Sequence, residues 1–411
     1  LLVSTAAGYD TAIGDSVLKA NTTGNYNTGV GASALAANTT TSNHTAVGYA
    51  ALSSNTTGVN NTAVGKDSMR ATTTGTRNVA VGNASLEINT TGDDNVALGD
   101  YALYNNTTAN NNVAIGKDAM LANTTGTENV AVGYTSLDAN TTGSYNTAVG
   151  TDSMSANTTG QENVSMGWNS LDANTTGNYN VAIGASALGV NTTAASNTAV
   201  GYGSLTANTT GTTNVAVGST AMAANTTADN NTGIGAASMN GNTTGTRNTA
   251  VGSDSLKVNT TGNDNTAVGK GALTANTTAS NNTAVGKNAL AANTTGANNT
   301  AVGKSALDAN TTGASNTVLG ADALSADTQG SRSVAIGTSA LEVQNFTTAT
   351  NTYNVAVGFN AGAAISTGTL NTAVGGLSLD ATTTGSYNTA VGYSAGGAIT
   401  TGESNVCIGY N

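Results

Sequence analysis

The sequence predicts an all-β fold, a parallel β-solenoid (β-roll) built from 17-residue coils. A five-residue signature, Asn-(Thr/Val)-Ala-(Val/Ile)-Gly, recurs 24 times with few variants along the 411 residues. From Gly14 to Gly337, each signature glycine follows the previous one by 17 residues. Within the signature, β-branched residues alternate with small ones, which is typical of a strand with two different faces. A fixed period of this length marks stacked repeats.

One full repeat reads N-(T/V)-A-V-G-x-x-(A/S)-L-x-A-N-T-T-G-x-x, with positions numbered 1 to 17 from the signature Asn. Seventeen residues are too few for a helix pair, so we expect two short strands and two turns. Side chains alternate across a strand, and we expect positions 2 and 4 to face the interior. Position 9 is the expected core residue of the second strand. The predicted core includes Val64, Val81, Val132, Val149, Leu52, Leu86 and Leu137.

Position 3 is nearly always Ala, and we expect this row to lie on the outer surface. A coil buries about three sizeable side chains, which contribute roughly 1.5–3 kcal/mol each. Ordering the backbone costs about 1–2 kcal/mol per residue. With the other contributions to folding included, the net gain in free energy from ordering one coil is therefore small. We expect chains to gain further stability by associating laterally through the small-residue row. The candidate contact residues are Ala63, Ala80, Ala131 and Ala148.

The Asn-Thr-Thr-Gly segments are predicted turns, because Asn and Gly tolerate left-handed backbone. Stacking of coils would align Asn on Asn and Thr on Thr, in ladders that hydrogen-bond along the axis. Asn-Thr-Thr occurs 17 times and matches the N-glycosylation acceptor pattern, although good turn chemistry is the favoured explanation. The candidate glycosylation sites are Asn21, Asn55, Asn140, Asn174 and Asn208.

Residues 1–411 are predicted to form a single solenoid domain with two irregularities. The step from Gly337 to Gly358 is 21 residues, so we expect a bulged insertion loop within 341–354. Variant coils occupy 359–411, where Ile365 and Ile399 are expected to replace missing position-9 core contacts. The chain begins in mid-coil at 1–2 and ends soon after a signature, which predicts a segment of a longer chain or a subunit that stacks end to end.

Composition excludes several functions. The chain has 22 acidic and 11 basic residues, a net charge of −11, which argues against nucleic-acid binding. No stretch approaches the ~20 apolar residues of a membrane helix, so no direct membrane insertion is expected. One Cys and one His exclude a disulfide framework and most His-based catalysis. We find no calcium-loop, phosphate-loop or catalytic-triad pattern and no evident paired carboxylates of a glycosidase, so we expect no enzyme, metal or cofactor.

Three single residues have alternative interpretations. His44 replaces a signature Asn and is either a ladder variant or a ligand or base. Cys407 occupies position 3 and is either an inert buried thiol or half of an interchain disulfide. Trp168 follows a signature glycine, where it either packs between coils or stacks on sugars. Tyr often occupies the same place, at Tyr49, Tyr134, Tyr202 and Tyr393.

The signature resembles the Ser-Val-Ala-Ile-Gly repeat of YadA-like trimeric autotransporter adhesin heads, which residues 333–337 match directly. The longer pattern, with its Asn-Thr-Thr-Gly turn, is similar to repeats of bacterial and phage tail-fibre-like proteins. The resemblance covers essentially the whole chain. It implies a left-handed parallel β-roll with three chains per rod, on a cell or virion surface, with the Ala row as trimer interface.

These observations predict an extracellular structural or adhesive fibre without catalytic activity. The expected partner is the chain itself, as a homotrimer that could extend end to end into a filament. A host-surface, matrix or glycan ligand is a further possible partner. The alternative is an ice-binding, monomeric solenoid in which Thr pairs of the turns, such as Thr141-Thr142, form a regular array. A measurement of thermal hysteresis in the purified protein distinguishes the ice-binding hypothesis from the fibre hypothesis.

Overall fold

A computed structural model describes residues 8–411, which contain strands, turns and bends but no helix. Two compact units make up the chain; the first ends at Gly203 and the second runs from Ser204 to Asn411. Each unit is a parallel β-solenoid with about 17 residues per turn, which confirms the predicted fold class. The predicted single domain over 1–411 stays a prediction, and the chain start at 1–2 lies outside the described residues.

Each signature forms one short strand in both units. The strands of the first unit are β1 Thr11–Ile13, β2 Thr28–Val30, β3 Thr45–Val47, β4 Thr62–Val64, β5 Val79–Val81, β6 Val96–Leu98, β7 Val113–Ile115, β8 Val130–Val132, β9 Thr147–Val149, β10 Val164–Met166, β11 Val181–Ile183 and β12 Thr198–Val200. Those of the second unit are β13 Val215–Val217, β14 Thr232–Ile234, β15 Thr249–Val251, β16 Thr266–Val268, β17 Thr283–Val285, β18 Thr300–Val302, β19 Thr317–Leu319, β20 Gly330–Ser331, β21 Val334–Ile336, β22 Thr350–Asn351, β23 Val355–Val357, β24 Thr372–Val374, β25 Thr389–Val391 and β26 Val406–Ile408.

Within each unit the signature strands pair in parallel and in register. Thr147 lies opposite Val164, which in turn lies opposite Val181, one 17-residue period further on. Across the insertion the offset is 21 residues, and Val334 lies opposite Val355. The register places the same coil position side by side along the sheet of each unit. Equivalent side chains therefore form rows along the solenoid axis, with about 4.8 Å between successive members of a row.

The inward and outward faces of these strands are the reverse of the prediction. The side chains of Ala63, Ala80, Ala131 and Ala148 have no solvent exposure and fill the interior, so they cannot form a trimer interface. The side chains of Val64, Val81, Val132 and Val149 point outward, and all four retain solvent exposure, so their assignment to the core is wrong. The position-9 residues Leu52, Leu86 and Leu137 are fully buried, as predicted.

The reason for this orientation is the narrow interior of a 17-residue coil. Position 3 faces position 9 of the preceding coil: a Cβ on Gly233 would lie 2.8 Å from Cγ of Met222. Small residues therefore occupy this face in nearly every coil, and the buried Val318 is an exception. Positions 1 and 3 share a face, and the position-1 side chains are buried too, for example Asn61 and Asn78. Positions 2 and 4 are left on the outside.

Position 9 does not lie on a second strand, contrary to expectation. Leu52 and Leu137 have left-handed backbone, with φ of 50° and 54°, which costs a non-glycine residue roughly 1–2 kcal/mol. The neighbouring coil fixes this conformation, because the Leu52 amide donates to the Ser68 carbonyl at 2.9 Å and the Leu137 amide to the Ser153 carbonyl at 3.0 Å. The tight bend is what brings position 9 into the interior.

The predicted asparagine ladders are present and buried. At position 1, the Asn78 amide N–H donates to Oδ1 of Asn61 at 2.9 Å, and Nδ2 of Asn78 donates to the carbonyl of Gly92 at 2.8 Å. At position 12, Nδ2 of Asn106 donates to Oδ1 of Asn89 at 3.0 Å. The ladders satisfy polar groups that the thin coil must bury.

The insertion is a loop with a short strand pair rather than a simple bulge. β22 of the insertion pairs in parallel with β20 of the preceding coil, with Gly330 opposite Thr350, as a separate two-stranded sheet. In the variant coils, Gly362 occupies position 9, and Ile365 is 1% exposed. A Cβ on Gly362 would lie 2.9 Å from Cδ1 of Ile365, so Ile365 does replace the missing core contact. Ile399 is only partly buried.

Candidate functional site: the outer face of the signature strands

We call the outward side chains at positions 2 and 4 of the signature strands the outer face. Position 2 is Thr or Val, and position 4 is Val, Ile, Leu or Met, in all 24 copies. In parallel register, Val149, Met166 and Ile183 lie side by side, and the last two are 42% and 37% exposed. Each unit therefore carries a continuous, partly exposed apolar row along its axis.

The polarity of the outer face changes along the chain. On β5–β8 both rows are apolar, because position 2 is Val in all four strands. On β15–β18 every strand reads Thr-Ala-Val, so a row of hydroxyls runs beside a row of Val. No charged residue occupies the face in any signature copy, although the chain has 33 Asp, Glu, Lys and Arg residues. Charge is placed at the edges instead.

Position 17 forms one edge of the outer face and carries ion pairs between successive coils. Nε of Arg77 lies 2.6 Å from Oδ1 of Asp94, and Nε of Arg247 lies 2.7 Å from Oδ1 of Asp264. The hydrogen bond from Arg77 and its charge hold the pKa of the Asp94 carboxyl below its usual value. Both pairs are solvent-exposed, so they contribute little to stability and mainly set the polarity of the edge.

An open depression borders the same edge. Tyr145, Glu162 and Val164 line a volume of about 430 Å³. Tyr145 and Glu162 occupy position 17 of successive coils, and Val164 is the position-2 residue of the outer face beside them. The outer face is therefore not flat at this edge, which gives a partner a contact of defined shape.

The predicted glycosylation sites are not available on the folded chain. Asn55, Asn140, Asn174 and Asn208 have no solvent exposure, and Asn21 is 8% exposed. Nδ2 of Asn140, the atom that would carry a glycan, donates to Oδ1 of Asn123 and to the Gly143 carbonyl. The Asn-Thr-Thr pattern is thus accounted for by ladder chemistry, and its use as an acceptor in the folded state is contradicted.

His44 is a ladder residue. Its Nδ1 accepts the Asn61 amide N–H at 3.3 Å, where other coils use Asn Oδ1, and its Nε2 lies 3.0 Å from Oγ1 of Thr41. Thr41 replaces the position-15 glycine and bonds to Asn38 Oδ1, so two substitutions accommodate the imidazole together. His44 is 1% exposed, and burial lowers its pKa to about 4. A buried neutral imidazole with these partners is not placed to act on a ligand.

A buried carboxylate in the second unit was missed by the sequence interpretation. Asp327 has no solvent exposure; its Oδ1 accepts the amide N–H groups of Gly330 and Phe346 at 3.0 Å. Its Oδ2 accepts Nε2 of Gln344 at 2.7 Å. Asp327 and Gln344 occupy position 12 of successive coils, where Asn is the rule, and this pair of departures was the signal available in the sequence.

Two other predicted residues are at least partly exposed. The Cys407 thiol is free and partly buried in the last coil. Trp168 is 58% exposed, so most of its side chain is open to solvent. Within residues 8–411, no three His, Cys, Asp or Glu side chains are grouped closely enough to hold a metal ion. Over the same residues, no helix has the length and apolar character to cross a membrane.

Comparison of the chain with models of known protein families finds no match. Comparison with curated proteins finds no match either. The resemblance to YadA-like heads and tail-fibre-like proteins therefore depends on the signature residues alone.

Proposed function

We propose that this chain is a non-catalytic rod of an extracellular structural or adhesive fibre, in which copies associate side by side through the outer face. The observation that supports this proposal is the row of apolar position-4 side chains, uncharged in all 24 copies of an otherwise acidic chain. Scattered apolar residues on a surface are ordinary, but a contiguous apolar patch marks an interaction site.

A second copy of the chain is the partner that fits this surface. The outer face repeats once per coil, about every 4.8 Å, over the length of each unit. A copy of the same chain offers the same repeat over the same length, so every coil can make the same contact. The resemblance to trimeric adhesin heads favours three copies around one axis, and closed cyclic symmetry leaves no apolar row exposed.

Side-by-side association through the outer face needs the same contact to be repeated over many coils. Burying the exposed 37–42% of a side chain such as Ile115 or Met166 contributes on the order of 1 kcal/mol. Association costs about 4–15 kcal/mol in lost rotational and translational freedom. A single coil cannot offset that cost, whereas the twelve signature strands of one unit can. Long tandem arrays are therefore what this mode of association needs.

Charged substitutions on the outer face test the proposal. Ile115→Glu combined with Val132→Glu places two carboxylates on neighbouring strands of the apolar row. The matched control, Thr125→Glu with Thr142→Glu, places them at exposed turn positions of the same coils. By sedimentation velocity we expect about three times 39.9 kDa for the wild type and the control, and a single chain mass for the outer-face variant. A wild type that sediments as one chain contradicts the proposal, as does an outer-face variant that keeps the wild-type mass.

Ice binding is the second candidate, and β15–β18 are the observation that favours it. These four strands present Thr and Val in identical register on one side of a parallel sheet. The turn pairs are less suitable than predicted, because Oγ1 of Thr141 already donates to the Thr158 carbonyl at 3.0 Å. Thermal hysteresis in the wild type that Thr266→Tyr with Thr283→Tyr abolishes would establish this function. Absence of hysteresis in the wild type removes it.

A further inference from the structure

Three exposed aromatic side chains occupy the same coil position in alternate coils of the first unit. Tyr134, Trp168 and Tyr202 each follow a signature glycine, at position 6, and they are 50%, 58% and 65% exposed. The coils between them carry Thr151 and Ala185 at that position. The result is a row in which a large ring alternates with a small side chain.

The backbone under this row is held in register by one hydrogen bond per coil. The Tyr134 carbonyl accepts the Asp152 amide at 3.1 Å, and the Trp168 carbonyl accepts the Ser186 amide at 3.0 Å. Because the coils are about 4.8 Å apart, rings two coils apart are separated by roughly 10 Å. Their separation is thus set by the solenoid rather than by flexible loops.

Where aromatic residues occupy position 6 of adjacent coils, their rings stack. The ring centroids of Tyr393 and Tyr410 lie 5.5 Å apart, with 16° between the ring planes. The faces of these two rings therefore point toward neighbouring coils. On Tyr134 the Nζ of Lys117, one coil earlier, lies over the ring at 5.6 Å from its centroid. The opposite face of that ring points toward the coil of Trp168.

Thr151 and Ala185 carry no ring at this position, so roughly 10 Å separates the aromatic side chains of the coils on either side. We call these two intervals the slots. A flat aromatic ring makes its contacts at about 3.5–4 Å on each face, so it would fill only about 7–8 Å of the roughly 10 Å between neighbours. A pyranose chair is thicker than a flat ring, because axial hydrogens project above and below it. A pyranose therefore reaches both walls of the slot.

We propose that the slots between Tyr134, Trp168 and Tyr202 each bind one pyranose residue of β-gluco configuration, such as glucose or N-acetylglucosamine. In this configuration the ring substituents are equatorial, so axial C–H groups face both aromatic walls. Galactose and mannose carry one axial hydroxyl, which would point at an aromatic face without a hydrogen-bond partner. Thr151 is exposed at the base of the first slot and can bond an equatorial hydroxyl.

This inference deepens the adhesive part of the proposed function and rests on it for the biological purpose of the site. Position 6 lies beyond the position-5 glycine, so the slots are not part of the outer face. Two slots on one chain, multiplied by the copies in a fibre, would convert weak single contacts into avid attachment to a glycan surface. A chain that self-associates but binds no sugar would contradict the proposal that the slots bind a pyranose and would leave the self-association proposal intact.

Fluorescence of Trp168 reports directly on both slots, because it is the sole tryptophan of the chain. We would titrate the full chain with methyl β-D-glucopyranoside and, as the matched probe, methyl β-D-galactopyranoside. The expected result is a saturable change in Trp168 emission with the glucoside and at least tenfold weaker binding of the galactoside. No saturable change with the glucoside, or an equal response to both sugars, overturns the proposal.

Filling the slots separates binding from simple exposure of the tryptophan. Thr151→Tyr with Ala185→Tyr inserts the missing rings, as in the Tyr393–Tyr410 stack, and should abolish the response to the glucoside. The control Ala321→Tyr places the same ring at position 6 of the second unit and should leave the response unchanged. Tyr134→Ala removes one wall of the first slot, so binding there should weaken roughly tenfold, while the second slot, between Trp168 and Tyr202, keeps its affinity. Undiminished binding by the filled-slot variant contradicts the proposal.

Discussion

The Nδ2 group of Asn140 donates a 2.9 Å hydrogen bond to Oδ1 of Asn123, one coil earlier, and both side chains are completely buried. Asn157 repeats the same bond to Asn140. The Asn140 amide is therefore donor to one coil and acceptor for the next. The ladder connects coils through groups that would be costly to bury alone.

Truncating one step of this ladder should destabilise the fold. Asn140→Ala removes the donor to Oδ1 of Asn123 and the acceptor for Nδ2 of Asn157. We expect a loss of about 1–3 kcal/mol in the free energy of unfolding. Thr142→Ala, at an exposed position of the same turn, should change it by less than about 0.5 kcal/mol. Chemical denaturation followed by circular dichroism measures both. Equal effects of the two variants would contradict the ladder's role.

The orientation of the strands predicts opposite responses at neighbouring positions. Ala131→Leu adds carbon atoms to a side chain without solvent exposure, and overpacking should cost about 1–3 kcal/mol or more. Val130→Leu changes an outward side chain and should be nearly neutral in the isolated chain. The free energies of unfolding of the two variants decide between the faces. A tolerated Ala131→Leu together with a damaging Val130→Leu would restore the original assignment.

His44 should make stability depend on pH in a defined window. Burial lowers its pKa to about 4, from 6.5 in an unfolded chain. Between these values the unfolded state binds more protons than the folded state. The contribution of neutral His44 to the free energy of unfolding is therefore fully present above pH 6.5 and is lost as the pH decreases toward 4. The loss attributable to His44 is roughly 3 kcal/mol.

The variant His44→Asn isolates this contribution. Asp138 acts in the opposite direction, because burial raises its pKa to about 6 and its contribution to stability is lost as the pH rises through this range. The difference between wild type and His44→Asn removes such shared effects. We expect the free-energy difference to grow in favour of the variant from pH 7 to pH 4. A difference that does not vary with pH would show that His44 is not buried in its neutral form.

The Asp327–Gln344 pair should behave as a matched acceptor and donor. Asp327→Asn places an amide donor where Nε2 of Gln344 already donates, and we expect a loss of about 1–3 kcal/mol. Adding Gln344→Glu exchanges the two roles and should recover part of that loss, although it also changes the bonds to Ser333 and Asn354. A double-mutant cycle measures the coupling energy. Additive effects would mean that the two side chains do not act as a pair.

Sequence periodicity was sufficient to predict the coil, its register and the buried position-9 residues such as Leu52. Periodicity could not decide which strand face is inside, because two alternating faces look equivalent when both are uncharged. The deciding fact is three-dimensional: a 17-residue coil encloses so little space that Ala63, rather than Val64, fits opposite the position-9 side chains. The polar Asn at position 1 lies on the same face as Ala, and its burial is explained only by the ladder hydrogen bonds.

The candidate site was predicted only in part for the same reason. Ala148 was expected on the outer surface as the row for lateral contact, whereas Ala148 is buried and Val149 is partly exposed. The Asn-Thr-Thr pattern matched a modification signal, and only the hydrogen bonds of residues such as Asn140 reveal that the amide is already used. The spacing of Trp168 from its aromatic neighbours was visible in the sequence, but it acquires meaning once the coils are stacked.

Thiol protection on the outer face tests the central claim most directly. In a Cys407→Ala background, single cysteines at Val132→Cys and at Thr142→Cys report on the outer face and on the turn of one coil. At protein concentrations where the fibre is assembled, we predict that the cysteine at position 132 is protected from alkylation while that at 142 reacts freely. Dilution to single chains should restore the reactivity of position 132. Equal reactivity of both thiols at every concentration would contradict the burial of the outer face by a second copy.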